Sequence, residues 1–523
     1  MKTIDRSYTI TKKTVCPFCS FGCEFGLVFN DFGVSGVEYL KEGSSEGRLC
    51  PRGSSAAFYL NHPKRLSMPV KDGKTIAWTK IVKDMKKALE KPKSVAVTFD
   101  RNITIEEYHA LAAFCRNAGI EYTASTYCEP EALLRQFLET PSTLNDIDNA
   151  EMIVVVGDPF NQAPMISKSL INWELKARNN RLIVIDSIRT HTAHFASDFC
   201  QVTAGTEALA LLGLAGETIS GVDIAAVSGL DGSRIAEIGA SFKAAKKGVI
   251  IVCLSFAHCF DPLLLIEALS RLQQYSGKNV MPFVEFAGFE GNHYFGSIIE
   301  LAKRKKVKHI FNFGELFPFY YPQLAHALKG VNMYVTSPIK QNGYTTLPVA
   351  LNLEKQGSLL TSFGKKKLEQ AVTPASGART VAEILSHISD GAGQEKPFSA
   401  PSITVDVKAQ AASLAQKARM SKKKTLTLLG EKIAYDFLGL LDDPVLKVNP
   451  ADAHELGIRQ SDTVAVKSKH GETALKAKLT NDTAPGVVVV PAENPDVRGV
   501  FDYEIMNDIV CFIPTEVQLW RKE

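Results

Sequence analysis

Four cysteines near the N-terminus limit what this chain can fold into: Cys16, Cys19, Cys23 and Cys50. They read Cys-x2-Cys-x3-Cys and then, after a long gap, Cys50-Pro51-Arg52-Gly53. Thiolates this close in sequence converge on one soft metal centre. Four of them complete the ligand set of a [4Fe-4S] cluster. A tetrahedral zinc site with four thiolates is the other reading. Structural zinc usually takes two separated Cys-x2-Cys pairs, each a tight knuckle. Here three ligands crowd together and the fourth stands alone, a spacing that suits a cubane better and leaves zinc second.

The rest of the chain is long enough for several domains, at 523 residues. Apolar residues make up 45% and charged residues 22%, which implies a packed core. The net charge of +4 is mild, and basic runs such as Lys303–Lys306 and Lys365–Lys367 are short solvated faces, so no nucleic-acid partner is expected. No apolar run is long enough for a direct membrane span. The N-terminus lacks a hydrophobic signal core, so a cytoplasmic location is expected. The remaining cysteines show no second ligand spacing and suit buried thiols in a reducing compartment.

The fold class predicted is α/β. Residues 1–65 form a small N-terminal iron–sulfur lobe, with strands at Ser7–Thr14, Phe25–Phe29 and Val34–Tyr39. Asp31-Phe32-Gly33 is turn chemistry that sends the chain back toward Cys50. Residues 66–135 and 246–389 read as α/β domains. They contain a helix over Ile81–Leu89, a buried strand at Ser94–Phe99, and a helix capped by Thr104 with Glu107 three residues on. Further strands are predicted at Val249–Ser255, Lys308–Phe313 and Met333–Thr336. Residues 136–245 read as a doubly wound domain, with strands Met152–Val156 and Leu182–Ile185. In such a sheet ligands bind beyond the carboxyl ends of the strands, where Gly157 and Asp186 sit. Gly and Asp are also common wherever a strand becomes a loop, so spacing alone leaves both readings standing. Residues 390–424 read as a polar, low-order linker, and residues 425–523 are strand-rich.

The cysteine stretch resembles the N-terminal cluster domain of the molybdopterin oxidoreductases, a superfamily of formate dehydrogenases, nitrate reductases and the large peripheral-arm subunit of respiratory complex I. The likeness continues through His62-Pro63-Lys64-Arg65-Leu66, Pro69 and Trp78. It continues further through Gly157-Asp158-Pro159, Val184-Ile185-Asp186-Ser187 and Gly205-Thr206-Glu207-Ala208-Leu209. Asn449-Pro450-Ala451-Asp452-Ala453 with Leu456-Gly457-Ile458 is similar to the family's C-terminal β-barrel. The resemblance implies two doubly wound α/β domains facing one another across a cofactor cleft. It implies that Arg52 is the cation between cluster and pterin. It also implies that loops at Gly157, Asp158, Asp186, Asn292 and Glu354 hold a pterin guanine dinucleotide.

Active members hold molybdenum or tungsten in a bis-pterin site, often with one protein ligand. Cys128, in Tyr127-Cys128-Glu129-Pro130, lies where that ligand is expected; its other reading is a lone buried thiol. Glu129 stands where formate dehydrogenases carry His. Thr361-Ser362-Phe363-Gly364-Lys365 replaces the family's T-N-x-E-G-R. Gly157-Asp158-Pro159 with Ala163-Pro164 looks closest to the complex I branch, which keeps the fold without pterin. His258, between Cys253 and Cys259, reads as a packed histidine rather than a ligand. Glu285, Glu290 and His293 fall near a cleft loop, where polar residues usually just meet solvent.

By resemblance the chain is an iron–sulfur oxidoreductase subunit. It would pass electrons through one [4Fe-4S] cluster between a formate-dehydrogenase-like Mo/W-pterin site and flavin or iron–sulfur partner subunits. The alternative is a pterin-free electron-transfer or scaffold subunit like the complex I branch.

Overall fold

The computed structural model describes residues 10–100, 102–126, 131, 133–139, 141–254, 257–284, 289, 291–314, 323, 327–389, 397–399, 401–420, 425–432, 444–491 and 495–522. The chain divides into two compact units. The first comprises Met1–Ala132, Glu285–Tyr320 and Leu324–Pro401; the second comprises Leu133–Val284, Tyr321–Gln323 and Ser402–Glu523. No described helix is long and apolar enough to cross a membrane.

The first unit opens with a three-stranded antiparallel sheet, Ile10–Val15, Glu24–Asn30 and Gly33–Glu38. The turn between the last two strands is made by Gly33, at φ 115°, and by the Asn30 side chain, which accepts the Phe32 amide at 2.9 Å. Two short helices, Pro51–Ser54 and Ala56–Leu60, follow. The unit's main sheet has seven strands, in the order Lys74–Thr75, Val70–Lys71, Thr345–Leu347, Asn332–Thr336, His309–Phe313, Val95–Phe99 and Tyr122–Ser125. From Thr345–Leu347 to Tyr122–Ser125 the pairing is parallel. Every residue of Val95–Phe99 is buried, as a strand covered on both faces requires. Its cover includes the helices Trp78–Leu89, Ile105–Ala118 and Val381–Ile388, which share one apolar core with it. Thr104 and Glu107 form the predicted capping box: the Thr104 hydroxyl accepts the Glu107 amide, and the Glu107 carboxylate accepts the Thr104 amide.

The second unit contains a five-stranded parallel sheet in the order Asp198–Gln201, Arg181–Asp186, Met152–Val156, Gly248–Val252 and Asn279–Pro282. The chain winds outward from Met152–Val156 to one edge, then returns to its other side. The topological switch point therefore lies between Met152–Val156 and Gly248–Val252. A closed six-stranded barrel completes the unit, in the order Leu426–Glu431, Val487–Pro491, Val445–Val448, Glu472–Leu479, Thr463–Lys467 and Thr515–Arg521. The fold is mixed α/β with a closed C-terminal barrel, as the sequence predicts.

Two expected boundaries shift. The α/β segment expected to begin at 246 does not: Gly248–Val252 and Asn279–Pro282 pair into the sheet of Met152–Val156, and the return to the first unit comes at Glu285. An apolar run such as Gly-Val-Ile-Ile-Val says that a strand is buried and nothing about which sheet buries it. The 390–424 stretch, expected to be a low-order linker, contains a helix at Val407–Met420. Ala411, Leu414, Ala415 and Ala418 line its buried face at helical spacing. Mostly small apolar residues among lysines and glutamines hide that periodicity in a composition reading.

Candidate cofactor sites

The antiparallel register explains the cysteine spacing. Val15 pairs with Glu24, so the next positions outward are Cys16 and Cys23. The Cys16 amide donates to the Cys23 carbonyl at 2.7 Å, and within the loop the Gly22 amide donates to the Cys19 carbonyl at 3.1 Å. Cys50 arrives as the N-cap of the helix Pro51–Ser54, with the Ser54 amide donating to the Cys50 carbonyl at 2.9 Å. A Cβ on Gly53 would stand 3.6 Å from the Cys16 sulfur, so this helix lies directly beside the first ligand.

All four thiols are buried. Burial pushes the Cys16 thiol well above the usual cysteine range, and the neighbouring Cys23, Cys50 and Cys19 push it further. Cys23 is raised the same way by burial, Cys19 and Cys50, against an opposing pull from Lys366 and Ser45. Two buried thiols held in their protonated form this way, with Cys19 and Cys50 beside them, make a donor set that a cationic metal centre resolves. An iron–sulfur cluster fits them. Arg52, two residues past Cys50, is buried.

In the second unit, the predicted residues Gly157, Asp158 and Asp186 sit at the carboxyl ends of the parallel strands, around the switch point. Gly157 has φ 86°, and a Cβ there would meet the Cys253 carbonyl oxygen at 2.0 Å. Only glycine lets the two central strands end side by side. Asp158 is buried, which raises its carboxyl above the ordinary range. The Thr192 hydroxyl donates to it at 2.6 Å and the Asn161 amide at 2.7 Å.

Asp186 accepts the Ile188 amide at 2.8 Å and lies 3.0 Å from His258 Nε2. Glu207, at the start of the helix Glu207–Leu214, lies 3.6 Å from the same nitrogen. Burial alone would lower the His258 pKa. The Asp186 charge and hydrogen bond, then Glu207 and the Gly430 carbonyl, override it and raise the ring to about 9. Burial raises Glu207 to about 7 against the pull of His258. His258 is therefore packed, as its sequence context suggests, but as an imidazolium that partly neutralises two buried carboxylates. Periodicity could not show this; the clue was Glu207 in the quoted Gly205-Thr206-Glu207 passage. The Glu207 oxygens make no close hydrogen bond; the Ser187 hydroxyl and His258 Nε2, the latter at 3.6 Å, are the donors beside them. A buried carboxylate open to donors suits an N–H-rich base edge, so Glu207 fits a nucleotide-bearing cofactor. The barrel contributes here too: Leu429, Val487 and Val489 pack on Ile188 and Ala204.

The remaining predicted residues are engaged within the first unit. The Asn292 side-chain oxygen accepts both the amide and hydroxyl of Thr123, at 2.9 and 2.6 Å, and its NH2 donates to the Glu121 carbonyl at 2.7 Å. Glu354 is gripped by Arg65 and also accepts the Leu351 and Ala375 amides. Cys128, Glu129, Glu285 and Glu290 lie outside the described residues.

Two family profiles match the chain: the molybdopterin oxidoreductase Fe4S4 domain over residues 9–62, and the molydopterin dinucleotide binding domain over residues 438–516. They support a [4Fe-4S] cluster and a molybdenum or tungsten pterin as its cofactors. The F420-dependent formate dehydrogenase subunit alpha of Methanocaldococcus jannaschii is 29% identical over 209 residues, covering 37% of this chain and 31% of that protein. The chain thus matches about a third of that relative's length. Nitrate reductase of Klebsiella oxytoca is 25% identical over 39% of this chain and 25% of its own. The NADPH-Fe(3+) oxidoreductase subunit alpha of Geobacter sulfurreducens is 21% identical over 92% of this chain and 71% of its own. Acetylene hydratase from Pelobacter acetylenicus shares the fold, with a TM-score of 0.74 and 15% identity over 98% of this chain and all of that one. The thiol nest lies in the stretch that matches the molybdopterin oxidoreductase Fe4S4 domain, and most of the barrel lies in the stretch that matches the molydopterin dinucleotide binding domain.

Proposed function

We propose that this chain is an oxidoreductase subunit that relays electrons through one [4Fe-4S] cluster between a Mo/W-pterin site and partner redox subunits. The observation that carries the reading is the nest of four buried thiols at Cys16, Cys19, Cys23 and Cys50. The relatives named above as alpha subunits of formate and NADPH-Fe(3+) oxidoreductases support a place beside flavin or iron–sulfur partners, with formate-like two-electron chemistry. The pterin would supply the two-electron step. The protein's part is to bind, orient and exclude water. The four thiolates hold the cluster, and Arg52 stands as a buried cation just beyond Cys50. Glu207 and the loop at Gly157 would receive the nucleotide end of the pterin, and Cys128 would be the protein ligand to the metal. No disulfide forms among the described cysteines, which suits a reducing cytoplasm.

One observation favours the second reading, a pterin-free relay or scaffold. Asp158, Asp186, Asn292 and Glu354 all have internal partners, and His258 already meets the charge of Asp186. Elemental analysis of anaerobically purified protein for Fe, Zn, Mo and W, with pterin assayed on the same sample, separates the two. Four irons with Mo or W and pterin support a catalytic subunit. Four irons alone overturn that part and leave the relay. Zinc without iron overturns both.

A further inference from the structure

A hairpin from far along the chain reaches the cluster loop. Its strands, Gly357–Thr361 and Gly364–Leu368, pair antiparallel and turn at Ser362-Phe363. Leu359 and Leu368 pack on Val15, one residue before the first cysteine ligand. The turn closes on the loop between Cys19 and Cys23. The Ser362 amide donates to the Ser20 carbonyl at 2.7 Å, the two serine hydroxyls are also 2.7 Å apart, and Phe363 meets Phe21 edge to face with centroids 5.2 Å apart. Gly22, at φ 61°, makes this approach possible: a Cβ there would lie 2.7 Å from the Thr361 methyl.

The hairpin delivers a charge. Lys366 Nζ donates to the Gly22 carbonyl at 2.8 Å and the Ser44 hydroxyl at 2.9 Å, and pairs with Glu24 at 3.2 Å. Gly22 and Glu24 flank Cys23 on either side. The Lys366 side chain is only 18% exposed, so solvent screens it weakly. Its charge already favours the thiolate of Cys23.

We infer that Lys366 is a positioning residue that raises the reduction potential of the cluster, with Glu24 as the opposing charge. This rests on the cluster reading above. The oxidised cluster with its four thiolates is already an anion. Reduction adds one electron from a donor and one further negative charge, with no bond made or broken. A fixed cation beside a ligand stabilises the more negative state, and a fixed anion opposes it.

The test is an anaerobic dithionite titration of the whole chain, followed by the electron paramagnetic resonance of the reduced cluster, with iron measured on each sample. Lys366→Met should shift the reduction equilibrium about tenfold against the reduced form, or 59 mV for one electron, while keeping the iron. Lys366→Arg should stay within about threefold of the unaltered chain. A Lys366→Met protein with full iron and a potential within about twofold of the unaltered chain would overturn the inference. If Lys366→Met loses iron, Glu24→Gln decides: a shift toward the reduced form supports the inference, and no shift overturns it. An unaltered chain that holds no iron sinks the cluster reading and this inference together, whereas unchanged potentials with full iron sink this inference alone.

Discussion

Arg65 and Glu354 form a two-pronged ion pair, Nη1 to Oε1 at 2.7 Å and Nη2 to Oε2 at 2.8 Å. The side chains are 9% and 2% exposed. Arg65 also donates to the Leu60 carbonyl, at the end of the second short helix after Cys50. The pair therefore ties the cluster lobe to the loop that follows the seven-stranded sheet. Removing one partner strands a buried charge, which costs about 3–5 kcal/mol. Glu354→Ala is expected to lower the melting temperature by several degrees. The double variant Arg65→Met, Glu354→Leu should recover much of the loss. A thermal melt of all three proteins checks this, and a neutral Glu354→Ala would show that the clamp carries no stability.

Iron binding should follow the four-thiol nest and no other buried cysteine. Cys50→Ala is expected to lose the broad visible absorption and most of the iron. Cys200→Ala, equally buried but in the second unit's sheet, should keep both. Iron per chain and the absorption spectrum of anaerobic samples decide the matter. Equal iron loss in both variants would mean that misfolding, not ligation, is being read.

Stability should fall as pH rises through neutrality. Glu207 is raised from 4.5 to about 7, and His258 from 6.5 to about 9. Each group keeps a proton in the folded chain at a pH where the unfolded chain has released it, so the unfolded state gains relative to the native one. The Glu207 contribution declines between pH 4.5 and about 7. The His258 contribution is complete below pH 6.5 and is lost as pH passes about 9. Melting temperatures at half-unit pH steps should decline across this span, and His258→Gln should flatten the decline above pH 6.5. A rise in melting temperature over that upper range would contradict the ion pair.

Gly157→Ala should be far more damaging than the same change at Gly486. Both have positive φ, 86° and 83°, and carry that backbone cost alike. At Gly157 the added methyl collides with the Cys253 carbonyl oxygen at 2.0 Å, whereas nothing lies within 4 Å at Gly486. Soluble yield and melting temperature should drop sharply for the first. The second should lose about 1 kcal/mol.

What could be read from residues alone follows how local the physics is. Met152–Val156 was legible to the residue because a run of apolar, mostly β-branched side chains bounded by Gly157 leaves little choice. The Thr104–Glu107 cap was legible because both partners lie within one turn. The cysteine ligands were legible because their spacing matches the strand register that brings Cys16 and Cys23 back together. Non-local matters were not. The sheet that claims Gly248–Val252 is fixed by tertiary packing. The hold of Arg65 on Glu354 joins residues 289 positions apart. The charge of His258 depends on Asp186 and Glu207, which its neighbours in sequence do not reveal.

The pairing of Val95–Phe99 with His309–Phe313 also sets an order of events during synthesis. Asn312 donates to Thr98 across 214 positions of chain. Between these strands the ribosome completes all of Met152–Pro282, so the five-stranded sheet can close while its predecessor still lacks a central neighbour. At about 5–20 residues per second, Val95–Phe99 waits on the order of tens of seconds with an apolar edge uncovered. Until His309–Phe313 emerges, that nascent edge presents unpaired backbone groups to which another chain can pair.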